Sequence, residues 1–205
     1  MEERRENNWN SEKWTLKHHK PIIVMILCLF IGFTISFSIW SLVLPPQVSA
    51  NVFAMQGSSI EQIKMITGNA TNITGSISTI LRNNLNIVLV SLVFALFYGA
   101  GVIYILAWNA SVMGLVIGTV TRESLGLIAL PIAFVKYFIH GIPEILAYIT
   151  AALAGGIVYF AFIKGDLTKK EKVKRITIDT IVLLGISVLL LLIAAILEVY
   201  ISALI

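Results

Sequence analysis

Three ionisable side chains recur at four-residue spacing inside an apolar stretch: Lys136, His140 and Glu144, in the segment Lys136-Tyr-Phe-Ile-His140-Gly141-Ile-Pro143-Glu144. On one continuous helix they would share a face. Ionisable groups within an apolar span are costly to bury, so they are functional candidates by default, here for a proton relay or an ion path. A structural role competes with that reading. Gly141 and Pro143 predict a break in the helix, and Pro143 suits a first helical turn, where its missing N–H costs nothing. Glu144 would then lie at the positive end of a helix dipole and bind backbone N–H groups, with His140 hydrogen-bonded in the adjoining turn. His140 and Glu144 supply fewer ligands than a zinc site needs, so neither a metal nor another cofactor is expected. The chain contains no P-loop, nucleophile elbow, HExxH or paired intramembrane aspartates. No catalytic residue is assigned, and an enzyme is not expected.

The elements that must position these groups follow from composition. Of the 205 residues 58% are hydrophobic and only 13% are charged, with a mean hydropathy of +0.90. A soluble domain carries about twice that share of charge. Such a chain places its Ile, Leu and Val in a bilayer, as helices that satisfy their own backbone hydrogen bonds. The apolar runs are too long, and too apolar on all sides, for barrel strands. The expected fold is an all-α polytopic bundle of about five spans. Net charge is +4, but the basic residues cluster beside hydrophobic runs, which marks orientation and not nucleic-acid binding. The single cysteine, Cys28, excludes an intrachain disulfide.

The chain divides into a basic tail (1–21), a first transmembrane anchor (22–44) closed by Pro45-Pro46, an extracytoplasmic loop (45–82) and a helical core (83–205). The first apolar run exceeds the 7–15 residues of a signal-peptide core, so a retained anchor is expected despite the small residues Val48-Ser49-Ala50. In the loop, Ile60, Ile63, Met65 and Ile66 predict a short amphipathic helix near the membrane surface. The second span is expected over 83–108. Two shorter apolar pieces flank Thr121-Arg122-Glu123-Ser124, and residues 110–140 are read as one broken or partly re-entrant crossing. Further spans follow at 143–163 and 176–205.

Lys and Arg mark the cytoplasmic side. The N-terminal tail and the segment 164–175, with six basic residues, are both expected inside. An even number of crossings must separate them, so the N-terminus is placed in the cytoplasm and the C-terminus outside the cell membrane.

Small residues predict where helices meet: Gly114 with Gly118, Ala147 with Ala151 and Gly155, and Ala152 with Gly156. Asn83, Asn84 and Asn109 are read as N-caps. Asn69-Ala-Thr71 and Asn72-Ile-Thr74 are glycosylation tripeptides in the exported loop, whereas Asn109-Ala-Ser111 falls on the inside.

Taken in order, these residues resemble the stage II sporulation protein M family. The resemblance rests on Asn83-Asn84, the Gly-rich stretch at 99–101, Trp108-Asn109-Ala-Ser-Val-Met-Gly114, His140-Gly141 with Glu144, and Ala151-Ala-Leu-Ala-Gly155-Gly156. It is strongest over residues 80–165. Two departures stand out: Ile139 where the family pattern has proline, and Pro143 where it has an apolar non-proline residue. The resemblance implies a membrane scaffold that recruits other envelope or membrane proteins, in spore formers peptidoglycan-degrading ones. The expected partners are therefore the lipid bilayer and such proteins, with self-association compatible and nucleic acid not expected. A small-solute or ion transporter using His140 and Glu144 is the alternative.

Overall fold

The computed structural model describes residues 13–68, 73–98, 101–123, 126–168 and 170–204. Every regular element among them is helical: α1 (Lys13–Val43), α2 (Pro46–Val52), α3 (Ala54–Gly68), α4 (Ile73–Tyr98), α5 (Gly101–Glu123), α6 (Leu130–Ile163) and α7 (Lys170–Leu204), with short 3-10 turns at Gly126–Ala129 and Asp166–Thr168. Five of these helices, α1, α4, α5, α6 and α7, are long and apolar enough to cross a membrane.

The helix boundaries differ from the sequence expectations in three ways. First, α4 begins at Ile73, ahead of Asn83, and residues 45–82 are helical over most of their described length. Second, α4 ends at Tyr98 and α5 begins at Gly101, ahead of Asn109. Helix α5 is therefore complete, with 23 residues giving it a length of about 34 Å, enough to span. The separation before the His-Gly-Ile-Pro-Glu segment lies between the end of α5 at Glu123 and the start of α6 at Leu130. Both are whole helices, each long and apolar enough to cross a membrane. Third, α6 runs without interruption through Gly141 and Pro143 for 34 residues. Pro143 has no N–H to offer the carbonyl of Ile139, but surrounding helices let membrane helices tolerate such a loss.

Helix α6 is the hub, packed along α7 on one side and α4 on another, while α1 lies along α5. The α1–α5 contact is a backbone approach. A Cβ on Gly114 would sit 2.6 Å from the Phe37 Cβ and 2.9 Å from the Ser38 nitrogen, and one on Gly118 would collide with Ser41 Oγ. Gly155 does the same between α6 and α4, where a Cβ would lie 2.8 Å from the Leu92 carbonyl oxygen and 2.9 Å from the Ala95 Cβ. Ala147 and Ala151 on that stripe are fully buried. The third stripe is different: Ala152 packs on the core, but a Cβ on Gly156 would meet nothing within 4 Å. Gly156 faces away from the bundle's own helices, which corrects its expected packing role.

At the end of α1 the last carbonyls need donors, and Pro45 and Pro46 have none to give. Arg122, at the end of α5, supplies them: its guanidinium donates to the carbonyls of Ser41, Leu42 and Leu44, the last at 3.0 Å.

Candidate functional site

The polar residues of α4 and α6 meet inside the bundle. Tyr148 is fully buried and Asn84 is 4% exposed. The Tyr148 hydroxyl donates to Glu144 Oε1 at 2.5 Å, one turn back on α6, and lies 3.3 Å from Asn84 Oδ1 on α4. A phenol has one proton, and the shorter contact to Glu144 takes it. The Asn84 amide can turn its NH2 toward the same oxygen, which then accepts, since amide orientation is set by the network. Turned that way, Asn84 gives up the long contact, 3.4 Å, that its Oδ1 otherwise makes with Asn83 Nδ2. Asn83 and Asn84 therefore sit in mid-helix, not at an N-cap. Asn109 is likewise interior to α5, where its Nδ2 donates to the Ile105 carbonyl at 2.8 Å. Glu144 is not at a helix start either, because α6 begins several turns earlier, at Leu130.

Helix α7 closes the third side. Ser187 Oγ donates to the Ala147 carbonyl at 2.8 Å, which fixes the antiparallel register of α6 and α7. That register carries Glu198 toward the level of Lys136 and Tyr137. Side chains lean toward the N-terminus of their own helix, so Glu144 and Glu198 converge from opposite directions. Their carboxylates lie within electrostatic range of each other, and Tyr137 and Tyr148 lie within the same range of Glu198.

His140 borders this cluster. Its ring stacks edge-on against Tyr137 at 6.1 Å. Its Nδ1 is buried without a well-formed hydrogen bond; the Lys136 carbonyl one turn back interacts with it but not at bonding geometry. Gly141 is explained by α5, since a Cβ there would strike the end of Met113. A small residue is needed for helix contact, not for a turn. Among the described residues no group of three His, Cys, Asp or Glu is placed to hold a metal ion. A cavity of about 310 Å³ lies away from the cluster, between α3 and α5, beside Ala54, Gly57 and Leu115. Asn69 and Asn72, the glycosylation candidates, lie outside the described residues.

The structure thus joins Asn84 and Glu144 through Tyr148, with Asn83 at their edge and His140 one turn before Glu144 on α6. It places Gly114, Gly141 and Gly155 at helix contacts, and leaves Asn109 and Gly156 apart from the cluster. Sequence reasoning missed Tyr148, Glu198 and Arg122. Tyr148 could have been found from its four-residue spacing to Glu144 on an apolar helix.

Five helices long and apolar enough to span, with polar side chains turned inward, define a multi-pass membrane protein. The chain belongs to the stage II sporulation protein M family, whose model matches residues 22–203. No curated protein and no solved structure matches it.

Proposed function

We propose that this protein is a non-enzymatic membrane scaffold or assembly factor for other envelope or membrane proteins. In this reading it sits in the cell membrane with its N-terminus in the cytoplasm and its C-terminus outside. The observation that carries the reading is the Asn84–Tyr148–Glu144 cluster. The polar groups most characteristic of the chain spend their hydrogen bonds on one another across α4 and α6, which is what a rigid platform requires. The basic residues between α6 and α7 support the orientation.

Affinity purification in mild detergent, followed by mass spectrometry, tests the scaffold role. Specific envelope proteins should be recovered with the wild type and, at the same yield, with Glu144→Gln. Recovery of nothing beyond an unrelated multi-pass control would overturn it.

One observation favours a transport reading instead. Glu144 and Glu198 are two carboxylates within electrostatic range inside the membrane bundle, beside a histidine whose buried Nδ1 has no well-formed hydrogen bond. Intramembrane ionisable groups of this kind mark ion and proton paths. Proton or cation flux in proteoliposomes, abolished by Glu144→Gln, would support that second reading.

A further inference from the structure

The segment between the first two spans has a feature that a surface loop does not need. Helices α2 and α3 form a nearly continuous rod, joined across Phe53 by hydrogen bonds from Phe53 N to the Ser49 carbonyl at 2.9 Å and from Gly57 N to the Phe53 carbonyl at 2.8 Å. One face of the rod is tied to the bundle. Ser49 and Phe53 are 6% and 3% exposed, Phe53 packs edge-on against Phe37 at 6.3 Å, and Gln56 Nε2 donates to Ser111 Oγ at 3.1 Å.

These anchor points lie deep along the spanning helices. At a rise of 1.5 Å per residue, Phe37 is about 10 Å below Leu44 along α1, and Ser111 about 16 Å below Arg122 along α5. Arg122 and Leu44 are in contact, so both distances are measured from one level. The rod therefore reaches below the end of the bundle, not above it. A neighbouring face, one residue round the helix from the anchored one, carries Val48, Val52 and Met55, at helical spacing and 43%, 60% and 69% exposed. No charged residue occurs from 45 to 60.

An uncharged helix held at that depth, with an apolar stripe turned away from the protein, fits one surrounding: lipid. We propose that α2 and the start of α3 form an embedded interfacial element, lying in the leaflet at the α1 C-terminal end with Val48, Val52 and Met55 in contact with acyl chains. The depth of the Gln56–Ser111 and Phe53–Phe37 contacts selects lipid over an aqueous partner. It does so independently of the scaffold or transport reading and of which side of the membrane that leaflet faces.

Spin-label accessibility in phospholipid vesicles tests this. Val48→Cys, Val52→Cys and Met55→Cys would each be labelled on a Cys28→Ser background. Val182→Cys, on the exposed face of α7, serves as the lipid reference, and Lys170→Cys as the aqueous one. The ratio of relaxation by oxygen to relaxation by a water-soluble nickel chelate should resemble that at 182 and be several-fold above that at 170. A ratio like that at 170 would overturn the proposal by placing the stripe in water. Low access to both reagents at all three positions would overturn it too, because protein would then be the cover. Size-exclusion profiles and helicity of each labelled form, matched to wild type, establish that the readings come from folded protein.

Discussion

Tyr148 and Glu144 stand one turn apart on α6 and share a 2.5 Å hydrogen bond inside the bundle. Removing the phenol oxygen in Tyr148→Phe would leave both the Glu144 carboxyl and the Asn84 amide short of a partner. The expected cost is ~1–3 kcal/mol of stability, the range for a buried group left unsatisfied. Glu144→Leu should cost at least as much, whereas Glu144→Gln keeps an acceptor oxygen and the shape and should cost less. Thermal unfolding in detergent gives the order. A Tyr148→Phe variant as stable as wild type would show that the hydrogen bond holds nothing in place.

Two adjacent glycines should respond in opposite directions to one added methyl group. Gly155→Ala forces a Cβ against the Leu92 carbonyl oxygen and Ala95, so α4 and α6 must separate and stability should fall. Gly156→Ala meets open space and removes a flexible residue from a helix interior, so it should be neutral or stabilising by about 0.5–1 kcal/mol. Gly114→Ala should behave like the Gly155 change. Equal shifts at 155 and 156 in the same unfolding assay would refute the close approach.

Arg122 should be indispensable to the turn that follows α1. Its guanidinium meets the Ser41 and Leu42 carbonyls, which Pro45 and Pro46 cannot serve, and the Leu44 carbonyl beyond them. Arg122→Met keeps the stem but removes every donor, and should lower stability by ~1–3 kcal/mol. Lysine, a single point of charge, should restore only part of it. Limited proteolysis near Pro45 offers a second readout, with faster cleavage expected in the Arg122→Met variant.

The number of spans was legible because most are long runs of apolar residues, and hydropathy reports length well. The packing glycines 114, 118 and 155 were legible for a similar reason, since their four-residue spacing puts them on a helix face. The helix boundaries were not. Asn109 looked like a cap, yet inside a membrane helix an asparagine can satisfy itself on its own preceding turn, as it does on Ile105. Gly141 and Pro143 looked like a break, yet Gly141 makes room for Met113 and the packed neighbours carry α6 past Pro143. The cluster itself depends on how α4 and α7 are set against α6. Spacing along one helix could offer Tyr148 to Glu144, but only the tertiary register brings Asn84 and Glu198 to them.

The proposed sidedness rests on the basic segment before α7 and on the parity of five spans. Both Glu123, at the end of α5, and Lys170, at the start of α7, are exposed. On a Cys28→Ser background, a membrane-impermeant maleimide should modify Glu123→Cys in intact cells and Lys170→Cys only after permeabilisation. The reverse pattern would invert the orientation.

The choice between a rigid platform and a transport path turns on whether Glu144 must carry an exchangeable proton. A glutamine accepts the Tyr148 hydrogen bond but cannot exchange a proton as a carboxylic acid does. The direct measurement is complementation of a deletion strain by Glu144→Gln expressed at the wild-type level. The scaffold account predicts full rescue. Failure to rescue, by a protein that is stable and present in normal amount, would contradict it and assign the cluster to transport.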